Sequence, residues 1–139
     1  LDVYGNGPIE NKLKVYIVKN NLQNNIFLKG SLDHEKIIKI FSNYDLFISH
    51  PIEMDHVAEA FLMTNIEAMA SGLPVITSDC GGVPFVVRDK AIVCHQKSSD
   101  GITKSLIKLI NNTFKKLFFF FFHISRENFI WCFNRLFCI

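Results

Sequence analysis

Glu59 and Glu67 stand eight residues apart in the run EAFLMTNIEAMASGLPVITSDCGG, which fills Glu59 to Gly82. A carboxylate offers two acceptor oxygens, and two oxygens suit a cis-diol such as the one on a ribose ring. Unpaired backbone amides at a helix start suit a second chemistry. They are already oriented, so they stabilise the negative charge of a departing diphosphate as it develops. The run contains the elements for both. Helix formers Glu67 to Ala70 are stopped by Gly72, the β-branched PVITS follows, and Gly81-Gly82 turns the chain. Eight residues of helix rotate Glu67 roughly 80° from Glu59, so the two carboxylates need not share a target. Glu59 is better placed to bind than to act as an acid.

Each of these residues also has a structural reading. Thr64-Asn65-Ile66-Glu67 fits a capping box, in which Glu67 bonds back to the backbone of Thr64. Glu59 alone reads as a solvated surface glutamate. His50 and His56 flank Glu53 and Asp55, but that spacing is irregular for a metal site and no metal is expected. His50, at the end of a predicted strand, reads instead as a pocket-lining residue.

The elements that must position these groups alternate along the chain. Asp2 to Tyr4 is a short strand candidate, and Gly5-Asn6-Gly7-Pro8 is a turn whose glycines permit close backbone approach. Ile9, Leu13 and Ile17 recur every four residues and predict a helix to about Asn20. Ile26 to Leu28 predicts a strand stopped at Gly30, with Ser31 or Asp33 capping a helix whose buried stripe is Ile37, Phe41 and Tyr44. Asp45 to Ser49 is the next strand, and His50-Pro51 opens an irregular loop. After PVITS come a helical turn at Val83 to Val87, a strand at Ala91 to Cys94, and a helix capped by Ser98 or Ser99 with Ile102, Leu106, Leu109 and Ile110 on one face. Strands and helices alternating in this way predict βαβ units: an α/β fold with a doubly wound parallel sheet. Ligands of such sheets bind beyond the carboxyl ends of the strands.

The totals bound the function. The 139 residues suit one domain, and a net charge of +2 gives no broad electrostatic case for nucleic acid. Four cysteines with no C-x-x-C pair argue against zinc and redox motifs, and with no signal peptide they read as reduced thiols in a cytoplasmic setting. Phenylalanine is the anomaly: 14 residues, most of them late in the chain. Residues 113–139 show neither helical period nor strand alternation and are expected to stand outside the fold, leaving 1–112 as the domain. The apolar run Leu117 to Phe122 is far shorter than the ~20 residues that span a bilayer, so membrane contact is only weakly supported. The abrupt strand at the start suggests a piece of a larger protein.

From Val3 to Ile110 the chain resembles the nucleotide-sugar-binding domain of the retaining GT-B glycosyltransferases of family 4, the group 1 glycosyl transferases. The pieces VYGNGP, IFLKGSL and YDLFISHP, the pair Glu59 and Glu67, and EAMASGLPVITSDCGGVP come in that family's order. The resemblance implies an incomplete, Rossmann-like C-terminal half of a GT-B fold. It implies that a nucleotide-diphosphate sugar is the donor, with no cofactor or metal, and that the sugar passes to an unknown acceptor with retention. By the same resemblance Glu59, the candidate catalytic residue, contacts the donor sugar, and Glu67 bonds the ribose hydroxyls. The backbone amides of Phe61, Leu62 and Met63 approach the donor diphosphate or sugar, and Ala60 beside them counts among the donor-binding residues. Gly30 and Ser31 lie near the base, Gly5 and Gly7 line the crevice, and His50 borders it.

The sequence departs from the pattern at Ala60 and Leu62, where the family usually has small glycines, and at Phe85, where it commonly has an acidic residue. The basic pair that neutralises the donor diphosphate, and the acceptor domain, have no counterpart in these 139 residues. The chain alone is therefore expected to be inactive. The rival expectations are a non-catalytic nucleotide-sugar-binding module and an inactive truncated product.

Overall fold

The computed structural model describes residues 1–53 and 62–111, and the backbone of residues 136–138. Its strands are β1 (Asp2–Tyr4), β2 (Phe27–Gly30), β3 (Leu46–Ile48), β4 (Val75–Ser78), β5 (Ile92–Cys94) and β6 (Leu136–Cys138). The helices are α1 (Glu10–Lys19), α2 (His34–Ile40), α3 (Met63–Ala70), α4 (Val83–Val87) and α5 (Ser99–Ile110), with a 3-10 turn at Phe41–Asn43. The strands form one sheet in the order β2-β1-β6-β3-β4-β5, and every pairing in it is parallel. The expected α/β architecture with a doubly wound parallel sheet is what the chain forms.

β3 and β4 are the centre. Phe47 pairs with Val75 and Ile48 with Ile76. Successive side chains of a strand point to opposite faces, and here both faces are covered, which is why LFI and VITS are unbroken runs rather than alternating ones. Phe47 and Val75 pack on one face with Phe41, Ala68 and Leu73, flanked by Ile37, Tyr44 and Met69. Leu46, Ile48 and Ile76 pack on the other with Cys94 and Leu109, flanked by Ile102 and Leu106. Phe41 and Phe47 meet edge to face at 5.6 Å. Burying a side chain of that size stabilises by roughly 2–3 kcal/mol, so the two faces carry most of the driving force.

The helix ends explain several boundaries. After α3, Leu73 N–H donates to the carbonyl of Ala68 and Gly72 N–H to that of Met69. This double closure needs a left-handed residue, supplied by Gly72 at φ +81°. It throws Leu73 back into the core and starts β4 two residues later. Ser98 caps α5, its hydroxyl accepting from Gly101 N–H at 3.0 Å. Asp33 is the residue before α2 but forms no side-chain cap; its carboxylate pairs with Lys36 at 2.8 Å instead. Ser31 does not cap either, and accepts from Asn6. The expected stripe on α1 is narrower than its period suggests. Ile17 is buried, but Ile9 precedes the helix and is 64% exposed. Ile110, at the last turn of α5, is likewise exposed.

Along β1, Tyr44 donates to the Asp2 carboxylate at 2.7 Å and shares a 2.8 Å contact with the Tyr4 hydroxyl. Burial first, then these hydrogen bonds, push the Tyr44 phenol well above its ordinary range.

One expectation is met by a different finding. Residues 112–135 and 139 lie outside the described residues, but Leu136–Cys138 take a place in the sheet between β1 and β3. Asp2 pairs with Phe137 on one side, and Phe47 pairs with Phe137 on the other. In the common doubly wound order 3-2-1-4-5-6, that seat belongs to the first strand of the fold. Here the last strand in the sequence fills it.

Two measurements follow from this packing. A chain ending at Asn111 lacks β6 and leaves the inner edges of β1 and β3 unpaired. It is expected to aggregate or to melt at least about 5 °C below the full chain, which corresponds to roughly 1 kcal/mol for a domain of this size; equal melting temperatures would contradict the central place of β6. Cys94 is buried, and that burial, with the neighbouring Asp79 charge adding to it, raises its thiol above the usual range against a smaller opposing backbone hydrogen bond. The unfolded chain gives up this proton first, so the contribution is intact below the ordinary thiol range and stability falls as pH rises through it. Peptide-resolved alkylation is expected to modify Cys94 more slowly than free cysteine at pH 8.5. Labelling at the free-thiol rate would contradict its burial.

Candidate functional site

All strands run the same way, so their carboxyl ends share one edge, and the loops that leave that edge carry the candidate residues. At β1 and β2 two loops are tied side by side. Gly5 N–H donates to the carbonyl of Gly30 at 2.9 Å, and Asn6 Nδ2 donates to Ser31 Oγ at 3.1 Å. Gly5 has φ +123°, a conformation L side chains rarely adopt, so this close approach depends on glycine. Gly7 is exposed and its carbonyl accepts from Glu10 N–H, opening α1. Gly5, Gly30 and Ser31 are therefore one cluster, with Gly7 just outside it.

At β3 the loop starts with His50. Its Nδ1 lies 3.8 Å from Cys94 Sγ, while its Nε2 is buried with no hydrogen-bond partner. The root of the loop is held by the neighbouring strand ends. Ser78 Oγ donates to the carbonyl of Pro51, and Glu53 N–H donates to Gln96 Oε1 at 2.7 Å. Asp79 in turn accepts from Gln96 N–H at 2.7 Å and pairs with His95 at 2.6 Å. Glu59, Ala60 and Phe61, together with His56, lie outside the described residues.

Leu62 precedes α3, which begins at Met63 without a side-chain cap. Leu62 is half-buried and its carbonyl accepts from Asn65 N–H at 3.0 Å. A helix start leaves its first amides without intrahelical partners, and in α3 these include the amides of Met63 and Thr64. The capping-box reading of Thr64 and Glu67 is not what forms. Thr64 sits inside the helix rather than ahead of it, and its hydroxyl is buried without a partner.

Glu67 turns toward α2 instead. Its Oε1 lies 3.4 Å from His34 Nε2, which joins the start of α2, beyond the carboxyl end of β2, to α3. The Glu67 side chain is 14% exposed, against 66% for His34, so solvent reaches this carboxylate past a loosely held imidazole. Its Oε2 is buried and unpartnered. An orphaned buried acceptor costs about 1–3 kcal/mol, which a ligand donating to it would recover. Glu67 is neither on the far side of the sheet nor sealed in the core.

Several residues were not foreseen. His34 gave no signal, because Asp33-His34 reads as an ordinary helix start. The Thr64 hydroxyl was visible only as a cap. Phe85 was seen as a departure; it is 75% exposed, and Arg88 stacks on it at 5.7 Å. Among the described residues no three His, Cys, Asp or Glu side chains gather to hold a metal ion. No described helix is long and apolar enough to cross a membrane.

Residues 1–127 match the family described as glycosyl transferases group 1. Over 115 residues the chain is 34% identical to a poly(glycerol-phosphate) alpha-glucosyltransferase of Bacillus subtilis, covering 81% of this chain and 16% of that one. Over 109 residues it is 26% identical to a phosphatidylinositol N-acetylglucosaminyltransferase subunit of Arabidopsis thaliana, covering 78% and 23%. The chain thus spans under a quarter of the length of these curated relatives. A sucrose-phosphate synthase from Thermosynechococcus elongatus superposes with a TM-score of 0.65 at 21% identity, over 81% of this chain and 29% of that one. Anabaena HepE, solved in complex with UDP and glucose, superposes with a TM-score of 0.66 at 18% identity, over 81% and 31%. At those identities the structural likeness shows a shared Rossmann-like fold, and the sequence match over residues 1–127 decides the kinship: the chain belongs to the group 1 glycosyl transferases, proteins of the GT-B fold.

Proposed function

We propose that the chain holds the nucleotide-sugar donor of a retaining glycosyltransferase, with Glu67 on the ribose. The observation that carries this reading is the unpartnered Glu67 Oε2 on an uncapped helix at the carboxyl edge of the sheet. A ribose cis-diol presents two donors to a carboxylate, and the exposed His34 gives way at little cost. The amides of Met63 and Thr64 meet the diphosphate and favour its departure, since they are oriented before charge develops. The Gly30–Ser31 loop borders the base, with Gly5 and Gly7 beside it, and His50 Nε2 is a second orphaned donor or acceptor at the edge. Glu59 contacts the transferred sugar, and the amides of Phe61, Leu62 and Met63 approach the diphosphate or the sugar. The chemistry uses no metal and no cofactor in this reading.

Relatives support the donor class and leave the acceptor open. One carries an alpha-glucosyltransferase name on poly(glycerol-phosphate), another an N-acetylglucosaminyltransferase name on phosphatidylinositol, and HepE was solved with UDP and glucose. These names differ in acceptor, as expected if acceptor contacts lie in parts of the relatives this chain does not span. The described free thiols Cys80 and Cys94 suit a reducing, cytoplasmic setting. Neither the charge balance nor any described helix supports nucleic acid or a spanning membrane segment as a partner.

Titration of the purified chain with UDP and with GDP tests this. One of the two is expected to bind with a dissociation constant of about 1 mM or tighter. Glu67→Ala is expected to weaken it about tenfold or more, the loss of a charge-assisted hydrogen bond. Absence of binding to both nucleotides, or a Glu67→Ala variant that binds as wild type, contradicts the reading. The chain spans under a quarter of the length of its curated relatives, and no sugar transfer is expected from it alone. Donor-dependent transfer by these 139 residues would show that the acceptor side is also present.

A further inference from the structure

Three polar side chains sit where the core would take apolar ones. Ser49 follows β3, Thr77 is in β4, and Asn65 is in the first turn of α3; all are 2% exposed or less. Ser49 Oγ donates to Asn65 Oδ1 at 2.6 Å, Asn65 Nδ2 donates to Thr77 Oγ1 at 3.0 Å, and the two hydroxyl oxygens are 3.1 Å apart. Ser49 has one proton and gives it to Asn65, so the hydroxyl–hydroxyl contact is closed by the proton of Thr77. The result is a ring of three hydrogen bonds in which each member donates once and accepts once. Such a closed set polarises its members cooperatively, and breaking it in the interior is costly.

The ring ties one helix to two strands through a planar amide. An apolar contact at this place would tolerate a small roll of α3, because dispersion has little direction. Two hydrogen bonds to different strands do not, because each fixes a donor or acceptor direction of the Asn65 amide. One residue of helix is about 100° of rotation, so fixing Asn65 also fixes the directions of Thr64 and Glu67. Asn65 and Ala68 then face the core, while Glu67 is held at the opening toward His34.

We infer that this ring is a positioning device for the donor site, and that Asn65 is a positioning residue that acts through Glu67 without touching the ligand. The inference rests on the donor reading given above. Removing all three polar groups together leaves none orphaned, which separates positioning from stability. The variant Ser49→Ala/Asn65→Leu/Thr77→Val is expected to melt within about 5 °C of wild type or above it. It is expected to bind UDP or GDP about fivefold or more weakly. Adding Glu67→Ala to it is expected to cost little further, since the two act through one contact.

Wild-type affinity in a folded triple variant overturns the inference. So do losses from the triple change and from Glu67→Ala that simply add. If the triple variant fails to fold, a shape-conserving pair decides. Thr77→Ser keeps the hydroxyl and is expected to bind as wild type, while Thr77→Val breaks the ring and is expected to bind about fivefold or more weakly. Equal affinity of those two overturns the inference. A wild-type chain that binds neither nucleotide defeats the donor reading itself, and this inference with it.

Discussion

The β3–β4 pair carries the rest of the structure. Two parallel neighbours cannot be joined by a tight turn, so the chain must cross over between them, and the helix of that crossover is α3. Its start is thereby brought to the carboxyl ends of the strands, and its uncapped amides face the loops that leave that edge. The pairing of Phe47 with Val75 and Ile48 with Ile76 fixes how far along the sheet this happens. The double closure at Gly72 fixes where α3 stops, and with it where β4 begins. Everything assigned to the site stands on that one crossover or on a loop beside it.

Two kinds of force hold the crossover in place, and they do different work. Apolar packing of Ala68, Leu73, Val75 and Phe47 presses α3 to the sheet without selecting its rotation. The hydrogen bonds among Ser49, Asn65 and Thr77 select the rotation. A second polar set, Asp79 with Gln96 and Gln96 with Glu53, holds the root of the loop that leaves β3. Polar contacts thus gather at the carboxyl edge, where direction matters, and the apolar faces supply the adhesion. Asp2, Tyr4 and Tyr44 form a further polar group, which joins β1 to the segment before β3.

How far the sequence revealed this depends on the range of each interaction. α3 and β4 were legible because helix formers, Gly72 and PVITS are local signals with local causes. Ser98 as the cap of α5 was legible for the same reason. β6 was not, since residues around 136 carry no period and their seat is set by two strands more than 80 positions away in sequence. The site was half legible. Glu67 stood out by its spacing and resemblance, and its place beside the strand ends follows from the fold. Its neighbour His34 did not, because no local rule connects a residue at the start of α2 with one 33 positions later. Thr64 was misread as a cap because the helix begins two residues earlier than the capping pattern requires.

Membership of the group 1 glycosyl transferases gives the arrangement its chemical meaning, and the claim at its centre concerns a single carboxylate. The most direct measurement compares the affinity of this chain for a nucleoside diphosphate with that for the same compound lacking its 2′ and 3′ hydroxyls. If Glu67 holds the ribose diol, the dideoxy compound binds about tenfold more weakly to the wild type, and the difference disappears in Glu67→Ala. Equal affinity of the wild type for both compounds would show that the carboxylate holds something else.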